Sequence, residues 1–86
     1  MHSHRFDRPI RITAHARNRM IERGIDEILL QDLIETGEVR HKDDRRLWIA
    51  KCYPQRNDNL VCAAAALESA LVIKTLMHHF SWEKKP

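Results

Sequence analysis

The stretch ITAHARNRMIERG, residues 12–24, decides the fold of this chain because it reads as one helix with both ends marked. Thr13 is a favoured N-cap residue, since its hydroxyl accepts a hydrogen bond from a free backbone N–H in the first turn. Gly24 is a favoured residue just beyond a helix, since it enters the left-handed region without a Cβ clash. The apolar residues between them share one half of the helical wheel: Ala14, Ala16, Met20 and Ile21. We therefore predict an amphipathic helix.

The polar half of this helix carries a stripe of basic residues. His15, Arg19 and Arg23 are each four residues apart, so they lie along one side of the helix. A histidine between two guanidinium groups is an arrangement that can hold a phosphate and exchange a proton with it. Three basic residues on a polar helix face are more often only a solvated surface, and spacing alone favours that interpretation.

A second helix follows the first with a very short connection. Asp26 is its predicted N-cap, and Glu27 lies near the positive end of the helix dipole. Ile25 and Leu30 occupy the two positions of a hydrophobic staple, which fixes the angle between the helices. The pattern predicts that this helix ends at Gly37.

Beyond residue 37 the pattern changes from helical to extended. We predict a short strand at residues 39–41, a turn at Asp43-Asp44, and longer strands at residues 47–53, 60–67 and 71–80. Four consecutive alanines, residues 63–66, are poor strand formers, but turn signals bound that run on both sides. Small side chains there indicate that a helix packs closely over the sheet.

Segregated helices and strands indicate an α+β domain, with the N-terminal helix pair packed on one face of a three- to four-stranded antiparallel sheet. The expected order is helix-helix-strand-strand-strand. We expect residues 10–80 to form this single domain, with residues 1–9 as a flexible N-terminal arm and residues 81–86 as a polar tail. Residues 10–12 alternate and are predicted to add a short edge strand before the first helix.

The composition bounds the class of protein. The chain has 86 residues, 43% of them hydrophobic and 31% charged, which is typical of one small soluble domain. No apolar run is long enough for a membrane span or a signal peptide, so we expect a cytoplasmic protein without a membrane partner. Cys52 and Cys62 are then expected to stay reduced, although a hairpin can bring them face to face. Without a CxxC motif, no metal site or cofactor is expected.

The charge distribution is more informative than the formal net charge of +3. Residues 1–23 contain six Arg, whereas residues 24–38 contain five acids and neither Lys nor Arg. Such asymmetry permits an anionic ligand on one side of the domain.

Three segments give the chain a family resemblance. The stretch TAHARNRMIERGI at residues 13–25, the helix end ETGEV at residues 35–39 and VIKT at residues 72–75 resemble a bacterial family of small domains. That family is catalogued as domain of unknown function 4258, and the likeness covers about residues 10–80. The family in turn looks like a distant relative of the RelE and ParE toxins, whose helices lead into an antiparallel sheet.

The resemblance implies a RelE-like toxin-type module that acts on RNA by metal-independent phosphodiester cleavage. It would carry over His15, Arg19 and Arg23 as the polar set on the helix, and Thr75 as the polar residue on the last strand. The expected partners are RNA or the ribosome, and an antitoxin-like protein. The alternative is a non-catalytic nucleic-acid- or protein-binding domain of the same fold.

Metal-free RNA cleavage requires a proton acceptor, a proton donor and cations that stabilise the charged phosphorane. His15 is the natural proton carrier, because imidazole exchanges a proton near neutral pH. Arg19 and Arg23 are natural phosphate clamps, because guanidinium is planar, always charged and bidentate. The remaining proton carrier has to come from the sheet.

Two sets of residues on the last strand are candidates for that carrier. They lie on opposite sides of the strand: Lys74 and His78 on one, Thr75 and His79 on the other. If Ile73 and Met77 belong to the core, the first helix faces Thr75 and His79. The predicted catalytic set is therefore His15, Arg19, Arg23, Thr75 and His79.

Nucleic-acid binding is predicted at four arginines: Arg19, Arg23, Arg45 and Arg46. Aromatic platforms for bases are scarce, because Trp48 and Tyr53 fall on opposite faces of their strand. A dedicated single-strand binder usually has more of them.

Overall fold

The structure is a computed structural model that describes residues 1–54 and 60–78. Its elements are β1 (His2–Ser3), β2 (Arg8–Ile12), α1 (Ala14–Arg23), α2 (Glu27–Thr36), β3 (Glu38–His41), β4 (Arg46–Cys52), β5 (Leu60–Leu67) and β6 (Leu71–Met77). The end of the last predicted strand, the polar tail at residues 81–86 and the turn at residues 55–59 lie outside the described residues. Neither α1 nor α2 is long and apolar enough to cross a membrane.

The α+β class and the two helices are confirmed, but the predicted sheet was too small and of the wrong type. Across residues 1–54 and 60–78 the sheet has six strands in the order β1-β2-β6-β5-β4-β3, not three or four. It is mixed, because β2 pairs parallel with β6 and places Ile12 opposite Ile73, while the other pairs are antiparallel. Strand pairing between residues so far apart in sequence leaves no local pattern, which is why the prediction ended at one short edge strand.

The N-terminal residues contribute strands to the sheet. We predicted residues 1–9 as a flexible arm, but they contribute β1 and the start of β2. The carboxylate of Glu35 accepts hydrogen bonds from the Ser3 hydroxyl at 2.5 Å, the His4 amide at 2.9 Å and the Arg5 amide at 3.1 Å. The Arg5 guanidinium also donates to the Gly37 carbonyl at 2.7 Å. A polar segment without any periodicity is thus bound to the end of α2 by the Glu35 carboxylate together with the Arg5 guanidinium.

The helix ends are formed by the residues that the sequence marked. The Thr13 hydroxyl accepts from the Ala16 amide at 3.0 Å, and the Asp26 carboxylate accepts from the Leu29 amide at 2.8 Å. Gly24 has a φ of 62°, in the left-handed region where a residue with a side chain is strained. These contacts are local, so the sequence alone predicted them.

Gly37 ends α2 for a different reason from the one predicted. Its φ is −73°, which any residue adopts, so left-handed geometry is not required. A Cβ at Gly37 would lie 2.6 Å from the Leu33 carbonyl oxygen and 2.8 Å from Cγ2 of Ile49. Glycine therefore allows the end of α2 to lie directly against β4.

The buried stripe of α1 is narrower than predicted. Ala16 and Met20 are buried, but Ala14 is exposed and Ile21 is 76% exposed. Among the sheet strands, α1 packs chiefly against β6. Contact with one strand buries only one edge of the helix, which leaves Ile21 in solvent.

The strands present two different faces. Residues of one face join both helices in a single core cluster; they include Ile10, Leu47, Ile49, Ala63, Ala65, Leu71, Ile73 and Leu76. Among the residues whose side chains are described, the opposite face contributes none to that cluster, and we call it the open face. Ala64 and Ala66 lie on it, because successive residues of a strand point to opposite sides. The alanine run therefore serves both faces of the sheet.

A β-bulge in β6 changes which residues reach the core. The register passes from Ile73 opposite Ala65 directly to Thr75 opposite Ala64, so Lys74 is the extra residue. As a result Leu76 is fully buried in the core, while Met77 is only half-buried. The arrangement in which Ile73 and Met77 both belong to the core therefore does not occur, because the bulge lies between them.

Candidate functional site

The three basic residues of the α1 stripe have three different environments. His15 is exposed, and its imidazole has no hydrogen bond or ion pair within residues 1–54 and 60–78. The Arg19 guanidinium forms an ion pair with Glu22 at 2.6 Å. The Arg23 guanidinium donates to the backbone carbonyl of Leu76. The stripe exists as predicted, but two of its cations already have protein partners.

The contact of Arg23 is part of a set that covers the edge of β6. Strand β2 pairs with β6 only as far as Ile73. There the Thr13 amide donates to the Ile73 carbonyl at 3.2 Å, and the Thr13 hydroxyl donates to the Lys74 carbonyl at 3.2 Å. Arg23 then donates to the Leu76 carbonyl, so α1 supplies the hydrogen-bond donors that an edge strand would otherwise supply. This gives Arg23 a structural role.

Thr75 does not lie on the face of the sheet against which α1 packs. It is opposite Ala64 and shares the open face with it, since paired residues of neighbouring strands point to the same side. Ala16 and Met20 of α1 belong instead to the core cluster on the other face. The structure therefore does not bring Thr75 to the face of β6 on which α1 packs, and His79 lies outside the described residues. The catalytic set stays a prediction.

The open face contains a groove that the sequence analysis did not identify. Its volume is about 220 Å³, and Ala64 lies on its floor between β4 and β6. Trp48, Lys42, Arg46 and Lys74 complete its polar and aromatic lining. Small side chains on the middle strand leave this trough between the large side chains on either side.

The cations of the groove differ in how firmly they are held. The Lys74 ammonium is exposed and has no hydrogen bond or ion pair among the described residues. The Lys42 ammonium lies 5.9 Å from the centroid of the Trp48 ring, which is a cation–π contact. Arg46 is fixed by Asp43 at 2.6 Å. The groove thus combines one unbound cation, one cation on an aromatic ring and one cation in an ion pair.

Arg45 and Arg46, predicted to bind nucleic acid, lie at a second depression beside the groove. Its volume is about 610 Å³, and its lining shares Arg46 and Lys74 with the groove. Arg45 is 3.7 Å from Glu68, an exposed pair of little energetic weight. Hydrogen bonds from the backbone and guanidinium of Arg46 hold the pKa of Asp43 well below its usual range. Asp43 therefore stays charged and orients Arg46.

A polar cluster on the other side of the sheet joins α2 to β4. The Asp32 carboxylate accepts from the Tyr53 hydroxyl at 2.7 Å and from the Lys51 ammonium at 2.9 Å. Lys51 also donates to the Thr36 hydroxyl at 2.7 Å. The hydrogen bonds from Lys51 and then Tyr53 lower the pKa of Asp32 despite partial burial. All four groups satisfy one another, so we assign this cluster to stability.

The two cysteines do not pair with each other, and the described part of the chain holds no cluster of candidate metal ligands. Cys62 lies opposite Ala50 and Cys52 opposite Leu60, so the two cysteines do not face each other, and both are free. Burial raises the pKa of the Cys62 thiol to about 12. Within residues 1–54 and 60–78, no group of three or more His, Cys, Asp or Glu residues could hold a metal ion.

Part of the groove was readable from sequence. Alternation along residues 46–52 places Arg46 and Trp48 on the same face, and the alanine run places Ala64 beside them once the register is known. Lys74 joins them because of where the bulge falls in β6, which has no sequence signature. The groove was missed because its residues come from separate strands.

Comparison with known proteins identifies a family. The sequence pattern of the family described as Domain of unknown function (DUF4258) matches residues 12–78, which is most of the chain. No curated protein and no solved structure matches it. The likeness to RelE and ParE toxins therefore stays a hypothesis. On the family match and its extent, the chain belongs to the DUF4258 family.

Proposed function

We propose that this domain is a non-catalytic nucleic-acid-binding module that holds phosphates on the open face of its sheet. The observation that carries the proposal is that Lys74 lines one groove with Trp48 and Ala64, while its exposed ammonium has no hydrogen bond or ion pair among the described residues. A cation without a protein partner is available to an anion without first breaking an ion pair. Phosphate contacts by Lys and Arg supply most of the affinity in non-specific nucleic-acid binding.

A row of residues extends this cationic surface across four strands. Arg11 lies beside Val72, Val72 beside Ala66, and Ala66 beside Arg46. Three strand spacings separate Arg11 from Arg46, which is roughly 14 Å. The Arg11 guanidinium is exposed and has no hydrogen bond or ion pair among the described residues. Lys74 and Arg11 therefore provide two available cations on one surface, which suits a chain of phosphates better than a single small anion.

The α1 stripe supports phosphate binding less well. Arg23 is bonded to the Leu76 carbonyl, and Arg19 is paired with Glu22. A phosphate that recruits Arg23 leaves the β6 carbonyl without this donor, which has an energetic cost. The prediction that Arg19 and Arg23 bind nucleic acid therefore has less support than binding at the open face.

The second candidate function is metal-independent RNA cleavage, which the resemblance to RelE toxins implies. One observation favours it: the His15 imidazole is exposed, has no bonded partner among the described residues and lies one helical turn from Arg19. Such an imidazole can carry a proton. Because Arg23 is already hydrogen-bonded and Thr75 lies on the open face, the binding module is the better supported function.

Salt titration of binding to a short single-stranded RNA tests the proposal. The test variant is the double change Arg11→Ala and Lys74→Ala. The matched control is Arg17→Ala with Arg19→Ala, which removes the same charge from α1, where both side chains are in ion pairs. The slope of log affinity against log salt should become shallower by about 1.4 in the test variant, because each lost phosphate contact is worth about 0.7. Equal changes in both variants would show that only net charge matters and would contradict the proposal.

A further inference from the structure

We propose that the groove between Trp48 and Lys74 holds one unpaired nucleobase, which makes single-stranded nucleic acid the ligand class of this domain. This inference rests on the proposed function, because it concerns the same open face. It adds a recognition element that phosphate contacts alone do not supply.

The spacing of the strands gives the groove its shape. Trp48 on β4 is opposite Ala64 on β5, and Ala64 is opposite Thr75 on β6. Two strand spacings of roughly 4.8 Å therefore separate Trp48 from β6. Because Ala64 projects only a methyl group, the space above it is open between the indole and Lys74. A flat ring beside the indole fits this space and would lie above the Ala64 methyl.

The indole and the lysines match the two parts of a nucleotide. Bases of every kind stack on aromatic side chains, because each has a π-face. The Lys42 ammonium lies 5.9 Å from the centroid of the Trp48 ring, and Lys74 lines the same groove. A nucleotide whose base stacks on the indole would therefore place its phosphate within reach of a lysine.

The position of the indole argues against a double-stranded ligand. The Trp48 side chain is half-buried, and it lines the groove. In a duplex the faces of the bases are covered by their neighbours in the stack, so they are not available to an aromatic ring on a protein surface. Only a base that leaves the stack can reach an indole in this position.

The test separates the base from the phosphates. Three probes of equal length are titrated: a single-stranded oligoribonucleotide, the same phosphodiester chain without bases, and the oligoribonucleotide paired with its complement. The proteins are wild type, Trp48→Leu and Trp48→Phe, with the far-ultraviolet circular dichroism of each compared to show that the variants fold. Trp48→Phe is the conservative variant, since it retains an aromatic ring.

The wild type should bind the single strand about 5- to 150-fold more tightly than the base-free chain, the range expected for one stacked base. Trp48→Leu should lose that difference and keep its affinity for the base-free chain, while Trp48→Phe should retain much of the difference. The inference is overturned if the wild type binds both single-stranded probes equally, prefers the duplex, or keeps its preference in Trp48→Leu. If the wild type binds no probe at all, the proposed function itself fails, which is a distinguishable result.

Discussion

The guanidinium of Arg23 donates a hydrogen bond to the backbone carbonyl of Leu76, at the edge of β6 where β2 no longer pairs. This contact gives a structural reason for an arginine at the end of α1. It also explains why a residue that looks like a phosphate clamp in the sequence is already engaged in the folded domain. Comparing substitutions of Arg23 and Arg19, which lie on the same stripe, can therefore separate an effect on stability from an effect on binding.

Replacement of Arg23 should destabilise the domain more than replacement of Arg19. Arg23→Ala should lower the free energy of unfolding by about 1–3 kcal/mol, because it removes a charged donor from a backbone carbonyl. Arg19→Ala should cost less than about 1 kcal/mol, because its partner Glu22 forms an exposed pair. Urea denaturation of both variants measures the difference. Equal losses would mean that the carbonyl of Leu76 does not depend on Arg23.

The two glycines should respond differently to alanine. Gly24→Ala should cost about 1–2 kcal/mol of unfolding free energy, because a Cβ strains the left-handed backbone. No steric clash adds to this cost, since the Cβ would meet no neighbour. Gly37→Ala should cost more, because its Cβ meets the Leu33 carbonyl and Ile49. Thermal or urea unfolding would rank them. The reverse order would contradict the close approach of α2 to β4.

Acid should weaken the junction between α2 and β4. The pKa of Asp32 is lowered by hydrogen bonds from Lys51 and Tyr53, so its ionised form stabilises the folded state. That contribution is complete above the ordinary value of 3.8 and is lost as the pH falls through the lowered pKa. Asp32→Asn should therefore be less stable than wild type at neutral pH and lose less stability on acidification. Parallel pH dependences in the two proteins would exclude this role.

Glu35 should control the order of the N-terminal residues. Burial raises the pKa of Glu35, but hydrogen bonds from Ser3, Arg5 and His4 outweigh it, and the net shift is downward. In Glu35→Ala the backbone amides of His4 and Arg5 lose their acceptor, so their hydrogen exchange should accelerate. Glu22→Ala is the control, since Glu22 is paired with Arg19 on α1. Unchanged exchange in Glu35→Ala would show that β1 is held by other contacts.

The parts of the fold that depend on neighbouring residues were predictable. Thr13, Gly24 and Asp26 mark helix ends because each acts within one turn of its own position. The parallel pairing of Ile12 with Ile73 was not predictable, because it depends on two segments that meet only in the folded chain.

The candidate site shows the same division. The stripe of His15, Arg19 and Arg23 follows from helical spacing, but the use of Arg23 by a β6 carbonyl depends on how the helix meets the sheet. The groove of Trp48 and Lys74 requires the order of three strands and the position of one bulge. Neither can be derived from a single segment.

Amide chemical-shift mapping during titration with a short single-stranded RNA shows directly whether the open face binds nucleic acid. The largest shifts should occur on the open face, at residues 46–48, 64–66 and 72–75, and salt should reverse them. Largest shifts along the exposed side of α1, at His15 and Arg19, with an unchanged open face, would show instead that the helix stripe is the binding surface.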